Sequence, residues 1–250
     1  MKNYVSTKKL MSSFDKRAGS YEGAAKIQAE LADWGSEWLE LNLSGKTAIE
    51  FGAGTGLFTQ FITNTGVDLT ATDLSPAMLV EGQQRVSACR WEKLDAWSPE
   101  TSSRVDRLYS ASLLQWCKNP KESLEQWREL LTPTGRVLCL FFIKGTLGEL
   151  ESLHPGITSL SWLDAREWNH AFERAGFEIL RSEESLRDYF YEDAVALLRN
   201  LRAIGATGMT RIDANHLRKL LCAYDESFSG EFGTYSSWNF FRLEARVGGE

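Results

Sequence analysis

The chain has 250 residues, 43% of them hydrophobic, enough for a full core and for one domain carrying an inserted cap. A formal net charge of −6 disfavours nucleic acid as a bulk substrate, because phosphate binding wants a basic face. Met1 to Met11 carries lysines but lacks the apolar core of about 7–15 residues of a signal peptide, and no unbroken apolar run reaches about 18 residues, so a cytoplasmic location without membrane contact is expected.

In chain order, Phe14, Ala18 and Tyr21 are spaced to share one helix face. Ile27, Leu31, Trp34, Trp38 and Leu41 recur at helical spacing, so Glu22 to Leu41 reads as an amphipathic helix. A buried strand, Thr47 to Phe51, then delivers a tight turn. There Gly52, Gly54 and Gly56, with Ala53 between them, allow positive φ and close approach by a ligand before a helix near Leu57. The dinucleotide fingerprint would need glycine where Leu57 stands, which argues against NAD. Glu50, two residues before the first glycine, suits a nucleoside with a positive end: it would balance the amino group and sulfonium of S-adenosylmethionine. The alternative is a strand-to-helix turn without a ligand.

Val67 to Asp73 is rich in β-formers and ends in an acid about 20 residues beyond the turn, where doubly wound folds place a carboxylate on ribose hydroxyls. Asp73 is therefore the ribose candidate against a reading as an ordinary turn acid, with Leu74 and Met78 beside it. Ser75 is a natural N-cap and Pro76 fits the first helical position. A short strand at 88–91 leads to Asp95 and Ala96. A strand at 105–110 ends at Ser110, a further cofactor candidate, and opens into Ala111 to Trp116, expected beside the transferred group. Asp106 is read as structural.

Strands near 47–51, 67–72, 88–91, 105–110 and 135–143 alternate with helices near 57–64, 76–87, 120–131 and 164–175, the pattern of a doubly wound parallel α/β sheet. Phe177 to Leu186 and Ser237 to Val247 read as late strands. Glu192 to Ile204 and Asp213 to Tyr224 read as helices between them. Cys89, Cys117, Cys139 and Cys222 and the three histidines show no disulfide or zinc spacing; the cysteines are expected as reduced core residues and no metal is expected.

The strings Glu-x-Gly-x-Gly-x-Gly (Glu50 to Gly56) and Asp-Leu-Ser-Pro-x-Met-Leu (Asp73 to Leu79) resemble motifs of class I S-adenosylmethionine-dependent methyltransferases. That resemblance implies a Rossmann-like sheet of seven strands with the last antiparallel. It also implies a helical cap inserted before the final strand, S-adenosylmethionine as methyl donor, and S-adenosylhomocysteine as product. It places Asp95 on the adenine amino group and the next backbone N–H, at Ala96, on a ring nitrogen. The organisation implied is an N-terminal helical lid over 1–45, a methyltransferase core over 46–187 and 235–250, and a cap over 188–234.

Four further strings narrow the resemblance: Phe14-Asp15-x-x-Ala18-x-x-Tyr21, Leu114-Gln115-Trp116-Cys117-x-Asn119, Gly145-Thr146-Leu147-x-Glu149-Leu150, and Leu198-Arg199-x-Leu201-Arg202-x-Ile204-Gly205-Ala206-Thr207. In this order they are similar to the malonyl-acyl carrier protein O-methyltransferases of biotin synthesis. The resemblance implies methylation of the free malonyl carboxylate, with Tyr21 closing the site. Arg199, with Arg202 second, would hold that carboxylate, and Phe14, Gln115, Trp116 and Lys144 would lie toward the substrate. Glu50 stands where Asp is common in the family, and Lys144 where uncharged residues are frequent. Arg199, Arg202, Arg211, Arg218 and Lys219 against Asp213 make a basic segment suited to an acidic acyl carrier protein, and a monomer is expected. The alternatives are a small-molecule carboxyl methyltransferase of the aconitate type and a cofactor-binding module without catalysis.

Overall fold

The computed structural model describes residues 25–101, 103–155, 157, 162–204 and 213–249. Its central strand, β1 (Thr47–Phe51), buries four consecutive residues, as a strand covered on both faces of the sheet does. β2 (Asp68–Asp73) pairs with it in parallel and β3 (Arg90–Lys93) lies outside β2; β4 (Val105–Ala111) pairs on the other side, with β5 (Leu131–Phe142) beyond it. β6 (Phe177–Tyr191) forms the far edge, and β7 (Ser229–Gly230) is a two-residue hairpin partner of β8 (Gly233–Val247). β8 runs antiparallel between β5 and β6, so the order is β3-β2-β1-β4-β5-β8-β6.

The helices are α1 (Lys26–Ser36), α2 (Thr59–Thr63), α3 (Pro76–Arg85), α4 (Pro120–Glu129), α5 (Gly148–Leu153), α6 (Ala165–Arg174), α7 (Ala194–Ala203) and α8 (Ala214–Phe228). Two cores follow from the pleat of the sheet. On one face α1, α2, α5, α7 and α8 pack over Leu69, Tyr109, Leu140 and Phe240. On the other, α4 and α6 send Trp127 and Trp168 against Phe51 and Phe141, with ring centroids 5.1 and 4.8 Å apart. Among the described residues no helix is long and apolar enough to cross a membrane.

Several element boundaries differ from the sequence pattern, for physical reasons. α1 ends at Ser36 rather than Leu41, which is exposed. Beyond it Trp38 instead lies under the guanidinium groups of Arg181 and Arg242, at 4.2 and 4.3 Å. β3 starts two residues later than the pattern. β6 and β8 continue past Leu186 and start before Ser237, because their mutual pairing runs to Tyr191↔Thr234 although charged Arg187 and Asp188 interrupt the apolar alternation. α5 has no counterpart in the pattern; it starts at left-handed Leu147 (φ 55°). Cys117 and Cys139 are buried and Cys89 is half-buried, but Cys222 is exposed on α8. Asp106 is structural as expected, accepting from the Thr47 backbone N–H and from Lys46 Nζ, both at 3.1 Å.

α1 is fastened to the sheet by charge as well as packing. Nearly buried Arg242 donates to the Trp34 carbonyl (2.5 Å), Glu37 (2.8 Å) and Glu183 (2.6 Å). Glu40, just past the helix, accepts from Arg107 and Arg136. Between these anchors Gly35 leaves no room: a Cβ there would lie 2.1 Å from a methyl of Leu140 on β5. Gly35→Ala is therefore expected to destabilise by about 1–3 kcal/mol through overpacking. The double change with Leu140→Val should cost less than the sum of the singles in denaturant unfolding; strict additivity would mean the contact is not the cause.

Candidate functional site

The register of the parallel strands brings their carboxyl ends level: Phe51 pairs with Thr72 on one side and with Ser110 on the other. At that edge the glycine turn leaves β1 with φ of 68° at Gly52, 57° at Gly54 and 86° at Gly56. The three glycines have different reasons. A Cβ at Gly52 would meet Leu113 at 3.0 Å, and one at Gly56 would meet Val86 at 3.2 Å. A Cβ at Gly54 would meet nothing within 4 Å and would project into open space, which is the cradle a close-approaching ligand needs. Asp73 ties the turn to the next loop, accepting from the Gly54 N–H at 2.9 Å and the Ser75 N–H at 2.8 Å. Ser75 caps α3 through the Met78 N–H at 3.2 Å, with Pro76 at the first helical position as expected.

These elements surround a cavity open to solvent, whose space with the open mouth included is about 1000 Å³. Of the residues read from sequence, Glu50, Gly52, Ala53, Gly54, Asp73, Leu74, Met78, Asp95, Ala96 and Trp116 line it. Gly56 and Ser110 do not: Gly56 packs backward on Val86 and Trp91, and buried Ser110 stands one residue short of Ala111 and Ser112, which do reach the cavity. Gln115 is buried behind the lining, its Nε2 donating to the Ser112 carbonyl at 2.9 Å. Lys144, and Arg199 and Arg202 on α7, are exposed and do not line it. Phe14, Tyr21, Arg211 and the Gly205-Ala206-Thr207 end of the last motif lie outside the described residues.

Glu50 is the electrostatic centre of the site. Its carboxyl is 1% exposed, accepts from the Thr59 hydroxyl at 2.6 Å, and has no ion-pair partner among the described residues. Burial pushes its pKa up to about 8, against the lowering effect of the Thr59 bond and with a further upward push from the charge of Asp73. A cationic ligand above it would reverse that balance. At the other end, Asp95 accepts from the Trp97 N–H at 2.9 Å, and Trp97 stacks on Trp127 with planes 5° apart, forming an apolar wall beside Leu94.

Sequence reasoning missed Gln28, Thr55, Phe58 and Trp97, all of which line the cavity, whereas Ser112 lies there as the expectation for Ala111 to Trp116 has it. The polar atoms Gln28 Oε1, Thr55 Oγ1 and Ser112 Oγ are buried there without a hydrogen-bond partner among the described residues. Gln28 alone left a signal, a polar residue within the apolar stripe formed with Leu31 and Ala32. An open cradle, a buried acid lacking a cation, and orphaned polar atoms beside an apolar wall fit S-adenosylmethionine: flat and apolar at its base, cationic and polar at its amino-acid end.

A family model described as a methyltransferase domain matches residues 49–137. The chain is similar to the biotin biosynthesis bifunctional protein BioHC of Cellvibrio japonicus, 27% identical over 91% of this chain and 47% of that protein, so it spans about half the length of this relative. It is also similar to the malonyl-[acyl-carrier protein] O-methyltransferase of Paenibacillus sp. strain JDR-2, 26% identical over 91% of this chain and 94% of the relative. Among solved structures, a Haemonchus contortus phosphoethanolamine N-methyltransferase bound to S-adenosylhomocysteine superposes with a TM-score of 0.59 at 16% identity, over 96% of this chain and 60% of that one, a likeness of fold.

The raised pKa makes stability depend on pH with a definite sign. Folded Glu50 keeps its proton to about pH 8 whereas the unfolded chain releases it near 4.5, so ligand-free stability falls between those values and is level above them. The full difference is on the order of 5 kcal/mol. Glu50→Gln, always neutral, should gain melting temperature over the unaltered chain progressively from about pH 5 to pH 8, while binding S-adenosylmethionine about tenfold more weakly, ~1.4 kcal/mol. A melting difference that is flat with pH would mean that Glu50 is already ionised in the folded chain.

Proposed function

We propose that the chain is an S-adenosylmethionine-dependent methyltransferase, a reading supported by the methyltransferase-domain match and the curated relatives, and that it methylates the free carboxylate of a malonyl thioester on acyl carrier protein. The extent of the likeness carries this reading. Relatives named for that reaction align well beyond the cofactor half of the chain, where substrate is recognised. The cavity is consistent with the chemistry: among its described lining residues there is no His, Cys or Lys to act as nucleophile or base. None is needed, because a malonyl carboxylate is already ionised near pH 7.

Bound S-adenosylmethionine supplies an electrophilic methyl group on a sulfonium and leaves as the neutral thioether S-adenosylhomocysteine. The chain's own residues bind, orient and exclude water. Glu50 would balance the ligand's positive end, the bare Gly54 would let the backbone approach it, and Asp73 would accept from the ribose hydroxyls. Ser112, Leu113 and Trp116 would cover the methyl-bearing end of the bound cofactor and exclude water from it, and positioning of this kind is worth several kcal/mol.

In this reading Tyr21 and Phe14 belong to a lid over 1–45 that closes the site. The segment 188–234 is the substrate cap. Arg199, with Arg202 second, grips the malonyl carboxylate bidentately once substrate is bound. Exposed Arg218 and Lys219 on α8 extend that positive surface toward an acidic carrier.

Incubation with labelled S-adenosylmethionine and malonyl-acyl carrier protein, with free malonate and malonyl-CoA as competitors, should place the label on the carrier-bound ester. Label on the free acid alone would make the chain a small-molecule enzyme instead, and no label on any acceptor would defeat the proposal. Reversing the charge of Arg218 and Lys219 together is expected to raise the carrier-substrate KM several-fold and flatten its salt dependence with S-adenosylmethionine affinity unchanged; unaltered kinetics would remove α8 from the docking surface.

A further inference from the structure

Gln28 has no place in the helix packing that surrounds it. It sits on the face of α1 that also carries Leu31, Ala32 and Gly35, all buried, where an apolar side chain would complete the stripe. It is itself only 7% exposed, it lines the cavity, and its Oε1 has no hydrogen-bond partner among the described residues. A buried polar atom left unpaired costs ~1–3 kcal/mol. Nothing among the described residues packed on α1 offsets that cost, so the ligand is the natural partner.

The topology indicates which part of the ligand Gln28 faces. Asp73 ends β2 and Asp95 follows β3, so the ribose and base belong to the side of β1 on which those strands lie. α1 packs against α2, β4 and β5, on the opposite side. Gln28 thus shares its end of the cavity with Glu50 at the end of β1 and with Ser112 just past β4. We propose that Gln28 binds the amino-acid end of S-adenosylmethionine. Its amide offers one acceptor, for the ligand's ammonium, and donors for the carboxylate beside it, without adding a charge to a site where Glu50 already supplies the negative one. Thr55, whose hydroxyl also has no partner among the described residues, follows Gly54 in the turn and completes the polar end. The inference rests on S-adenosylmethionine as the cofactor and not on the identity of the methyl acceptor.

The test is a binding comparison by calorimetry between S-adenosylhomocysteine and 5′-methylthioadenosine, which keeps the adenosine and thioether but lacks the amino acid. In Gln28→Leu, affinity for S-adenosylhomocysteine should fall about tenfold, ~1.4 kcal/mol, while 5′-methylthioadenosine binds as before. The ligand-free melting temperature should hold or rise, because the orphaned amide is gone. Equal losses for both ligands, or an unchanged affinity for S-adenosylhomocysteine, would overturn the proposal. So would failure of the unaltered chain to bind S-adenosylhomocysteine. Gln28→Met, unbranched and of similar length, gives the same comparison if the leucine variant does not fold. Because no methyl acceptor is present, the result stands whether or not malonyl-acyl carrier protein is the substrate.

Discussion

A carboxyl group buried without a cation among the described residues sets the character of this protein. Glu50 lies at the end of the central strand, held by one hydroxyl from Thr59 and facing a cavity whose described lining has no positive charge. Leaving it ionised there is costly, so the ligand-free site favours the proton, and a cationic ligand turns the same position into its strongest attraction. The site is destabilised by what lets it bind, as preorganised sites often are. The glycine turn and Asp73 support this arrangement: the turn brings backbone close to the ligand, and Asp73 locks that turn to the loop after β2 through two backbone amides.

Stability for such a site has to come from elsewhere, and the molecule supplies it in two apolar layers and one charged clamp. Trp127, Trp168 and Phe172 fill one face of the sheet, all essentially inaccessible to water. On the other face the far end of the sheet meets α1 through stacked guanidinium and indole groups. Arg242 lies 4.1 Å from the ring of Trp34 while it bridges Glu37 and Glu183. Removing one partner of so enclosed a charge is more damaging than the pair is stabilising. The clamp therefore reads as a device that fixes where α1 sits, and α1 is the helix that brings Gln28 to the cavity.

Much of the fold was legible because parallel strands buried on both faces and their cappable helices leave strong local signals. Thr47 to Phe51, the glycine turn, and Ser75 with Pro76 appear in the structure where the pattern puts them. The sequence pattern makes the outer ribbon of β6 and β8 too short, since an edge strand with a solvent-facing side carries charges such as Arg187 and Asp188 that hide its period. Spacing puts Gly56 and Ser110 in the site because it counts residues along a turn. Only the path of the backbone shows that one glycine faces open space while its neighbours face Leu113 and Val86.

The sequence by itself determined the fold class, the cofactor chemistry and the acids at the strand ends, because each follows from residues adjacent in the chain: an apolar strand, its turn, and the side chain that ends it. The tertiary structure decided which of those residues share one cavity. It showed that Glu50 lacks a cation among the described residues, that Lys144, Arg199 and Arg202 lie on the surface, and that Gln28, remote in sequence from the glycine turn, points a buried amide into the same space. The physical reason is the crossover topology. Parallel strands collect their carboxyl ends at one edge from distant parts of the chain, and what gathers there depends on how helices pack across the sheet, which short-range periodicity does not encode.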